Sequence, residues 1–201
     1  MNGLPGLGSG ASATPPPSIE AVASKHAEEI EALWTSEWDT SGGEMDAWLN
    51  DSIDEHQNEI GFVAVDHAGD GVVGFAFATH VPLTDDDGRE WAYGYVSPAE
   101  DAIGDDWNDI GMMHLSVVAP DRRGEGIGRR LFQARLGYLQ HYVDGVVGFS
   151  WHREGRGSDR LFEAAGFEAF ADLESYYDDE RDCPQCDGHC VCDATLYRRE
   201  I

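Results

Sequence analysis

The chain has 201 residues, 41% of them hydrophobic, and a formal net charge of −26. This length and apolar content fit a single domain whose core needs no disulfides. This charge argues against nucleic acid and anionic membranes as partners. Lys25 is the only lysine among 13 basic residues. The carboxylate excess predicts a surface adapted to concentrated salt, as in a halophile's cytoplasm, with an ordinary acidic protein as the alternative.

The N-terminal residues 1–17 are rich in Gly, Pro, Ser and Ala. They have neither a basic segment nor an apolar core, which predicts a disordered leader rather than a signal peptide. No segment approaches the roughly 20 apolar residues of a membrane span. We therefore expect a cytoplasmic protein in which residues 18–201 form one domain.

The first half of that domain should begin with a helix from Ser18 to about Trp38 and a short helix over Met45–Glu55. Strands are predicted at Ile60–His67 and Val72–His80, joined by a Gly-containing hairpin turn. Residues 83–110 read as a long acidic excursion, partly a loop, that includes a short aromatic strand over Trp91–Val96.

The second half alternates between strand and helix, which indicates an α/β fold. The predicted elements are a strand at Gly111–Ala119, a helix from Gly126 to about Tyr142, a strand at Val146–His152, a helix at Ser158–Ala165 and strands at Glu168–Tyr177 and Ala194–Ile201.

The strongest local signal lies where the buried strand ends at Pro120 and the next helix begins. The linking segment reads Arg123-x-x-Gly126-x-Gly128. Glycines let a backbone approach a phosphate closely, and the first N–H groups of a helix attract anions. Five of the 13 basic residues fall between Arg122 and Arg135, which favours an anionic ligand such as a pyrophosphate.

This motif resembles the acetyl-CoA signature of the GNAT superfamily of N-acetyltransferases. The segment Leu161–Phe167 is similar to that family's Leu-Tyr-Glu-x-x-Gly-Phe helix end. The resemblance implies a mixed, V-shaped sheet with helices on both faces, opened between the strands at 111–119 and 146–152. It also implies that acetyl-CoA lies in this opening. The residues that would contact acetyl-CoA are Ser116, Val117 and Val118 along the pantetheine arm, and Arg123, Gly124, Glu125, Gly126, Ile127, Gly128 and Arg129 around the pyrophosphate.

Acetyl transfer to an amine needs a base, and His114 is the first candidate because the pKa of histidine lies near neutrality. Some family members, arylalkylamine acetyltransferases among them, resemble this chain in having His there and use it to relay protons. Asp109 and His152 are alternative bases, and a buried histidine with a purely structural role is the competing interpretation.

The family's usual general acid is a tyrosine, but Phe162 stands in its place here, and phenylalanine cannot donate a proton. Either the thiolate leaves without a dedicated acid or another residue serves, the candidates being Tyr176, Tyr177 and Ser150. The predicted reaction is acetyl transfer from acetyl-CoA to a primary amine by direct attack. A non-catalytic acyl-CoA sensor and a zinc-dependent interaction module are the alternatives.

The acceptor pocket is expected between the N-terminal helices and residues 83–110. Carboxylates in that segment would favour a cationic amine, or they belong to a generally acidic surface. Four aromatic residues either line the pocket or pack in the core, namely Trp91, Tyr93, Tyr95 and Trp107.

All the cysteines lie in an insert at residues 183–192. The Cys-Pro-x-Cys spacing resembles a zinc knuckle, and four thiolates would fill a structural tetrahedral site, with His189 able to replace one of them. Disulfides are the weaker interpretation in a reducing cytoplasm. The predicted zinc ligands are Cys183, Cys186, Cys190 and Cys192.

Overall fold

The computed structural model of the chain describes residues 15–38, 44–53, 59–69, 71–152, 157–176, 182–183 and 188–201. Most of the predicted leader lies outside these ranges. Of its last residues, Pro17 is buried, and its carbonyl accepts a hydrogen bond from the Arg130 guanidinium.

A seven-stranded sheet forms the centre of the molecule in the order β1-β2-β3-β4-β5-β9-β6. Its strands are β1 (Ser18–Ala21), β2 (Glu59–Asp66), β3 (Gly71–Pro82), β4 (Asp109–Val118), β5 (Gly145–Trp151), β6 (Glu168–Leu173) and β9 (Ala194–Glu200). The pairing is antiparallel except between β4 and β5. A small hairpin, β7 (Asp182–Cys183) and β8 (Gly188–His189), lies in the connection from β6 to β9.

Helices cover both faces of the sheet. They are α1 (Ala27–Trp38), α2 (Glu44–Ile53), α3 (Asp86–Val96), α4 (Ile127–Leu139) and α5 (Asp159–Ala164). Because side chains alternate along a strand, Met112 packs with α3, and Met113 packs with α4 and α5. Helices α1 and α2 lie on the α3 face, where Ile30 and Leu49 pack on Phe77. The mixed α/β sheet with helices on both faces agrees with the predicted fold class.

The segment Ser18–Ala21 is a strand, which corrects the prediction that the first helix begins at Ser18. It pairs antiparallel with β2, from Ser18 opposite Val65 to Ala21 opposite Phe62. Four residues are too few for periodicity to separate strand from helix, and the partner strand lies more than 40 residues away. The first helix, α1, begins only at Ala27.

The aromatic segment predicted as a strand over Trp91–Val96 is the end of a helix. Asp85 caps α3, its carboxylate accepting a hydrogen bond from the Gly88 N–H at 2.7 Å. Ala92 and Val96, four residues apart, face the core. Among the described residues, no helix is both long and apolar enough to span a bilayer.

Candidate active site

The sheet opens between its two parallel strands. Pairing of β4 with β5 runs from Ile110 opposite Gly145 to Met113 opposite Gly148. Both strands continue past this point without pairing to each other, whereas residues 116–118 of β4 still pair with β3 on the other side. The predicted V-shaped opening is therefore present, and Ser116 to Val118 form its β4 side.

The loop that follows β4 has a shape that requires glycine. Gly124 and Gly126 have φ angles of +84° and +79°, a region that other residues rarely adopt. A Cβ atom built on either would meet no atom of the described residues within 4 Å, so conformation rather than crowding selects glycine. Gly126 precedes α4 without a side-chain cap, so the first N–H groups of this helix face an exposed loop. Uncapped N–H groups at an exposed helix start suit a pyrophosphate.

The arginines of this loop have protein partners, which revises the argument drawn from local basicity. Arg122 pairs with Asp66 at 2.8 Å and with Glu125 at 3.1 Å. Arg123 pairs with Glu37 of α1 at 2.8 Å. The clustering of arginines therefore has a structural cause, and it does not by itself indicate a bound anion.

Arg135, also counted in that basic cluster, is buried under the sheet and holds a β-bulge. The β3–β4 register shifts by one residue after Met113, so His114 and Leu115 lie opposite the single residue Phe77. The guanidinium of Arg135 donates to the Phe77 carbonyl at 3.1 Å and to the His114 carbonyl at 2.7 Å. Burial lowers the pKa of Arg135 to about 10. Its role is to hold the backbone around His114.

His114 is the first residue of β4 beyond the last β4–β5 pair. Its ring stacks on Trp48 of α2 at 4.6 Å and meets the rings of Trp91 and Tyr95 of α3 edge-on at 6.3 and 5.3 Å. The side chain is 7% exposed. Burial, and then the charge of Arg135, lower the pKa of His114 to about 3. An imidazole in this setting stays neutral.

The four aromatic residues predicted around the acceptor lie in three different places, and one of them, Tyr93, is exposed at the surface. Trp91 and Tyr95 stack on each other at 5.8 Å and lie beside His114. Trp107 instead packs in the core with Ile110 and Met112. No sequence pattern pointed to Trp48, because its place beside His114 follows from how α2 packs on the sheet.

Two residues that the sequence did not point to, Thr79 and Glu59, form a hydrogen-bonded chain with His114. The Thr79 hydroxyl is hydrogen-bonded to Nε2 of His114 and donates to Oε1 of Glu59 at 2.5 Å. Burial is the main cause that raises the pKa of Glu59 to about 7, with a smaller contribution from Asp51. These three side chains come from neighbouring strands, and the register of the strands together with the β3–β4 bulge brings them together.

The alternative bases have other partners. Asp109 pairs with His80 at 2.7 Å, and the exposed His152 lies 3.3 Å from Asp159. His152 also lies within hydrogen-bond distance of Thr195 on β9, at 3.1 Å.

Of the acid candidates, Ser150 is buried, its hydroxyl accepting from the Ser158 N–H at 3.0 Å, and Tyr177 lies outside the described residues. The Tyr95 hydroxyl donates to the carbonyl of Met113 at 3.2 Å, where the two strands separate. Tyr176 donates to the Tyr95 carbonyl at 3.2 Å.

The cysteine insert is described only in part. Cys190 is buried and Cys192 is half-buried, whereas Cys186 and the side chain of Cys183 lie outside the described residues. Within the ranges that the structure describes, no three His, Cys, Asp or Glu side chains form a group that could hold a metal ion. The zinc prediction therefore remains a prediction.

Comparison with protein-family models gives a match over most of the chain. The model described as the acetyltransferase (GNAT) family matches residues 25–167, more than half of the chain. A search of curated proteins finds no match.

Solved structures share the fold at low sequence identity. NAA60 of Arabidopsis thaliana in complex with acetyl-CoA is 15% identical with a TM-score of 0.65, over 92% of this chain and 98% of that one. The ribosomal-protein-alanine N-acetyltransferase of Brucella melitensis is 16% identical with a TM-score of 0.59, over 92% and 99%. A mosquito arylalkylamine N-acetyltransferase like 5b is also 16% identical, with a TM-score of 0.60, over 92% and 99%.

Proposed function

Because the chain belongs to the GNAT family of acetyltransferases, we propose that it transfers the acetyl group of acetyl-CoA to a primary amine by direct attack. The observation that carries this proposal is the position of His114, the first residue past the last β4–β5 pair. A side chain there would lie beside the acetyl-CoA arm, which the resemblance to the family assigns to this opening.

The residues proposed to hold acetyl-CoA are those of the opening and of the loop that follows it. Bound acetyl-CoA would supply an activated acetyl group on a thiol leaving group. The backbone of Ser116, Val117 and Val118 would align the arm. The N–H groups from Gly124 to Arg129 would bind the pyrophosphate, and the shape of the loop and its uncapped helix start support this assignment. Arg123 would act indirectly, because its Nε atom donates to the Val118 carbonyl at 3.0 Å and fixes the loop to β4.

His114 is proposed to take the proton of the attacking amine, and Tyr95 to protonate the leaving thiolate. The support for Tyr95 is its hydroxyl contact with the Met113 carbonyl at the point where the strands part. It would take the place of the family tyrosine that is Phe162 here. Phe162 is buried, and its ring stacks on Tyr197 at 4.8 Å.

The acidic composition supports a salt-rich cytoplasm as the setting, and the Cys-Pro-x-Cys spacing supports a structural zinc ion held by the insert at 183–192. Deleting the insert without loss of acetyl transfer would indicate that it has a separate role, as an interaction module.

Thiol release from acetyl-CoA in concentrated salt tests the transfer, using tyramine, spermidine, lysine and an alanine-initiated peptide as acceptors. We expect His114→Ala to lower kcat by roughly 10²–10⁴ while acetyl-CoA affinity, measured by calorimetry, stays unchanged. His152→Ala is the matched control and should keep full activity. If the protein binds acetyl-CoA tightly but releases no thiol with any of these amines, the result would favour the non-catalytic acyl-CoA sensor over the enzyme.

A further inference from the structure

A row of three polar side chains crosses the sheet beside the opening. Glu59, the first residue of β2, lies opposite Thr79 of β3, and Thr79 is bonded to His114 of β4. The single hydroxyl proton of Thr79 is donated to Oε1 of Glu59. The Thr79 oxygen can therefore only accept from His114, so the neutral ring carries its proton on Nε2 and offers Nδ1 as an acceptor.

The row is largely shielded from water. Thr79 and His114 are 4% and 7% exposed. Within the described ranges, neither His114 Nδ1 nor Glu59 Oε2 has a hydrogen-bond partner. A group that receives a proton from a ligand needs a free lone pair, and Nδ1 meets this condition because no described residue donates to it.

Charge in this region makes His114 unsuited to hold a proton by itself. An imidazolium here would be desolvated and would lie near the buried guanidinium of Arg135, and its pKa is lowered accordingly. Glu59 has the opposite tendency: burial and the carboxylate of Asp51 on α2 raise its pKa to about 7. Of the groups in the row, Glu59 is suited to hold a proton at neutral pH.

We propose, on the basis of the acetyl transfer proposed above, that Glu59 is the final proton acceptor and that Thr79 links it to His114. As the C–N bond forms and the thioester C–S bond breaks, the amine proton moves to Nδ1. The leaving thiolate takes its proton from the Tyr95 hydroxyl, which regains one from water after the product leaves. The Nε2 proton moves to the Thr79 oxygen, and the hydroxyl proton moves to Oε1 of Glu59. One proton has passed from amine to carboxylate, and the imidazole stays neutral. The reverse shift resets the row after product leaves, with the Nδ1 proton going to water.

Nuclear magnetic resonance tests the link without any acceptor. With ¹⁵N-labelled imidazole and ¹³C-labelled carboxyl groups, titration from about pH 5 to about pH 9 should show Glu59 titrating near neutrality and His114 remaining neutral. The His114 Nε2 signal should follow the titration of Glu59 in wild type and in Thr79→Ser, but not in Thr79→Val. A His114 that becomes charged in this range, or a Glu59 that titrates near the ordinary glutamate pKa, would overturn the proposal.

Kinetics then separate a relay from a structural role. With the panel amine that wild type acetylates fastest, Thr79→Val should lower kcat by roughly 10- to 100-fold and remove the rise of kcat with pH near neutrality. Thr79→Ser should restore both, and the KM for acetyl-CoA should not change in either variant. If Thr79→Val and Thr79→Ser turn over equally fast with the same pH profile, the relay is overturned and the proposed function stands. If the wild type acetylates no amine, the proposed function itself is overturned.

Discussion

The buried carboxyl group of Glu59 should make the stability of the protein depend on pH in a direction opposite to that of most acidic residues. Its folded-state pKa of about 7 lies above the ordinary value of 4.5. Below about pH 4.5 both states are protonated and there is no penalty. As the pH rises to about 7, the unfolded chain ionises while the folded chain resists, so stability is lost. The difference of 2.5 pKa units, at about 1.36 kcal/mol each and discounted for partial exposure, gives about 2–3 kcal/mol.

Glu59→Gln isolates this effect, because the amide oxygen can still accept from Thr79 but cannot ionise. We expect the unfolding free energy of the variant, relative to wild type, to rise by about 2–3 kcal/mol between about pH 4 and about pH 8. His114 also contributes to the pH dependence, because its pKa is lowered on folding and stability falls as the pH falls below the ordinary value of 6.5. This contribution cancels from the comparison because both proteins contain His114.

Urea unfolding at constant ionic strength across this pH range is the assay. Glu31→Gln, at an exposed position of α1, is the control and should leave the pH dependence unchanged. A difference between Glu59→Gln and wild type that stays constant with pH would refute the assignment of a raised pKa to Glu59, whatever its sign.

Five further outcomes are expected. Gly137→Ala in α4, where a Cβ would meet no atom of the described residues within 4 Å, should raise the unfolding free energy measured in urea by about 0.5–1 kcal/mol. Gly126→Ala should weaken acetyl-CoA binding measured by calorimetry, because Gly126 has a positive φ that alanine adopts poorly. Arg135→Met should lower the unfolding free energy by about 2–4 kcal/mol, since two buried carbonyls lose their donor, and Arg135→Lys should lose less. The melting temperature should rise from low to molar KCl, and a flat or falling curve would remove the halophile inference. Elemental analysis should find one zinc ion per chain. Four reactive thiols in freshly purified, metal-free and active protein would exclude the zinc site. The proposed ligands are Cys183, Cys186, Cys190 and Cys192.

Elements with a strong local signal were predicted well. The β2–β3 hairpin, β4, α4, β5 and β9 lie where apolar runs and glycine turns placed them, within a few residues. The prediction of a strand over Trp91–Val96 was wrong because the spacing of the aromatic residues fits both structures. Trp91, Tyr93 and Tyr95 alternate as in a strand, whereas Trp91 and Tyr95 are also four residues apart, as on one face of a helix. The hydrogen bond by which Asp85 caps α3 distinguishes the helix from a strand, and this contact is visible only in the structure.

The candidate site divides in the same way. The glycine loop and His114 carry their signals in short, continuous motifs. Glu59 and Thr79 do not, because their relation to His114 depends on the register of three strands and on a one-residue bulge. Arg135 looked like part of a basic cluster, and only the packing of α4 under the bulge shows that it bonds to backbone carbonyls.

The place of β9 in the sheet has a consequence for the order of folding. This strand lies between β5 and β6 and pairs with both, although it is the last of the described strands to leave the ribosome. Until residues 194–200 emerge, β5 and β6 present unpaired backbone edges, which are able to pair with other chains. Docking of β9 closes two edges in one event, so the nascent protein should be most prone to aggregation after β6 has emerged and before β9 has docked.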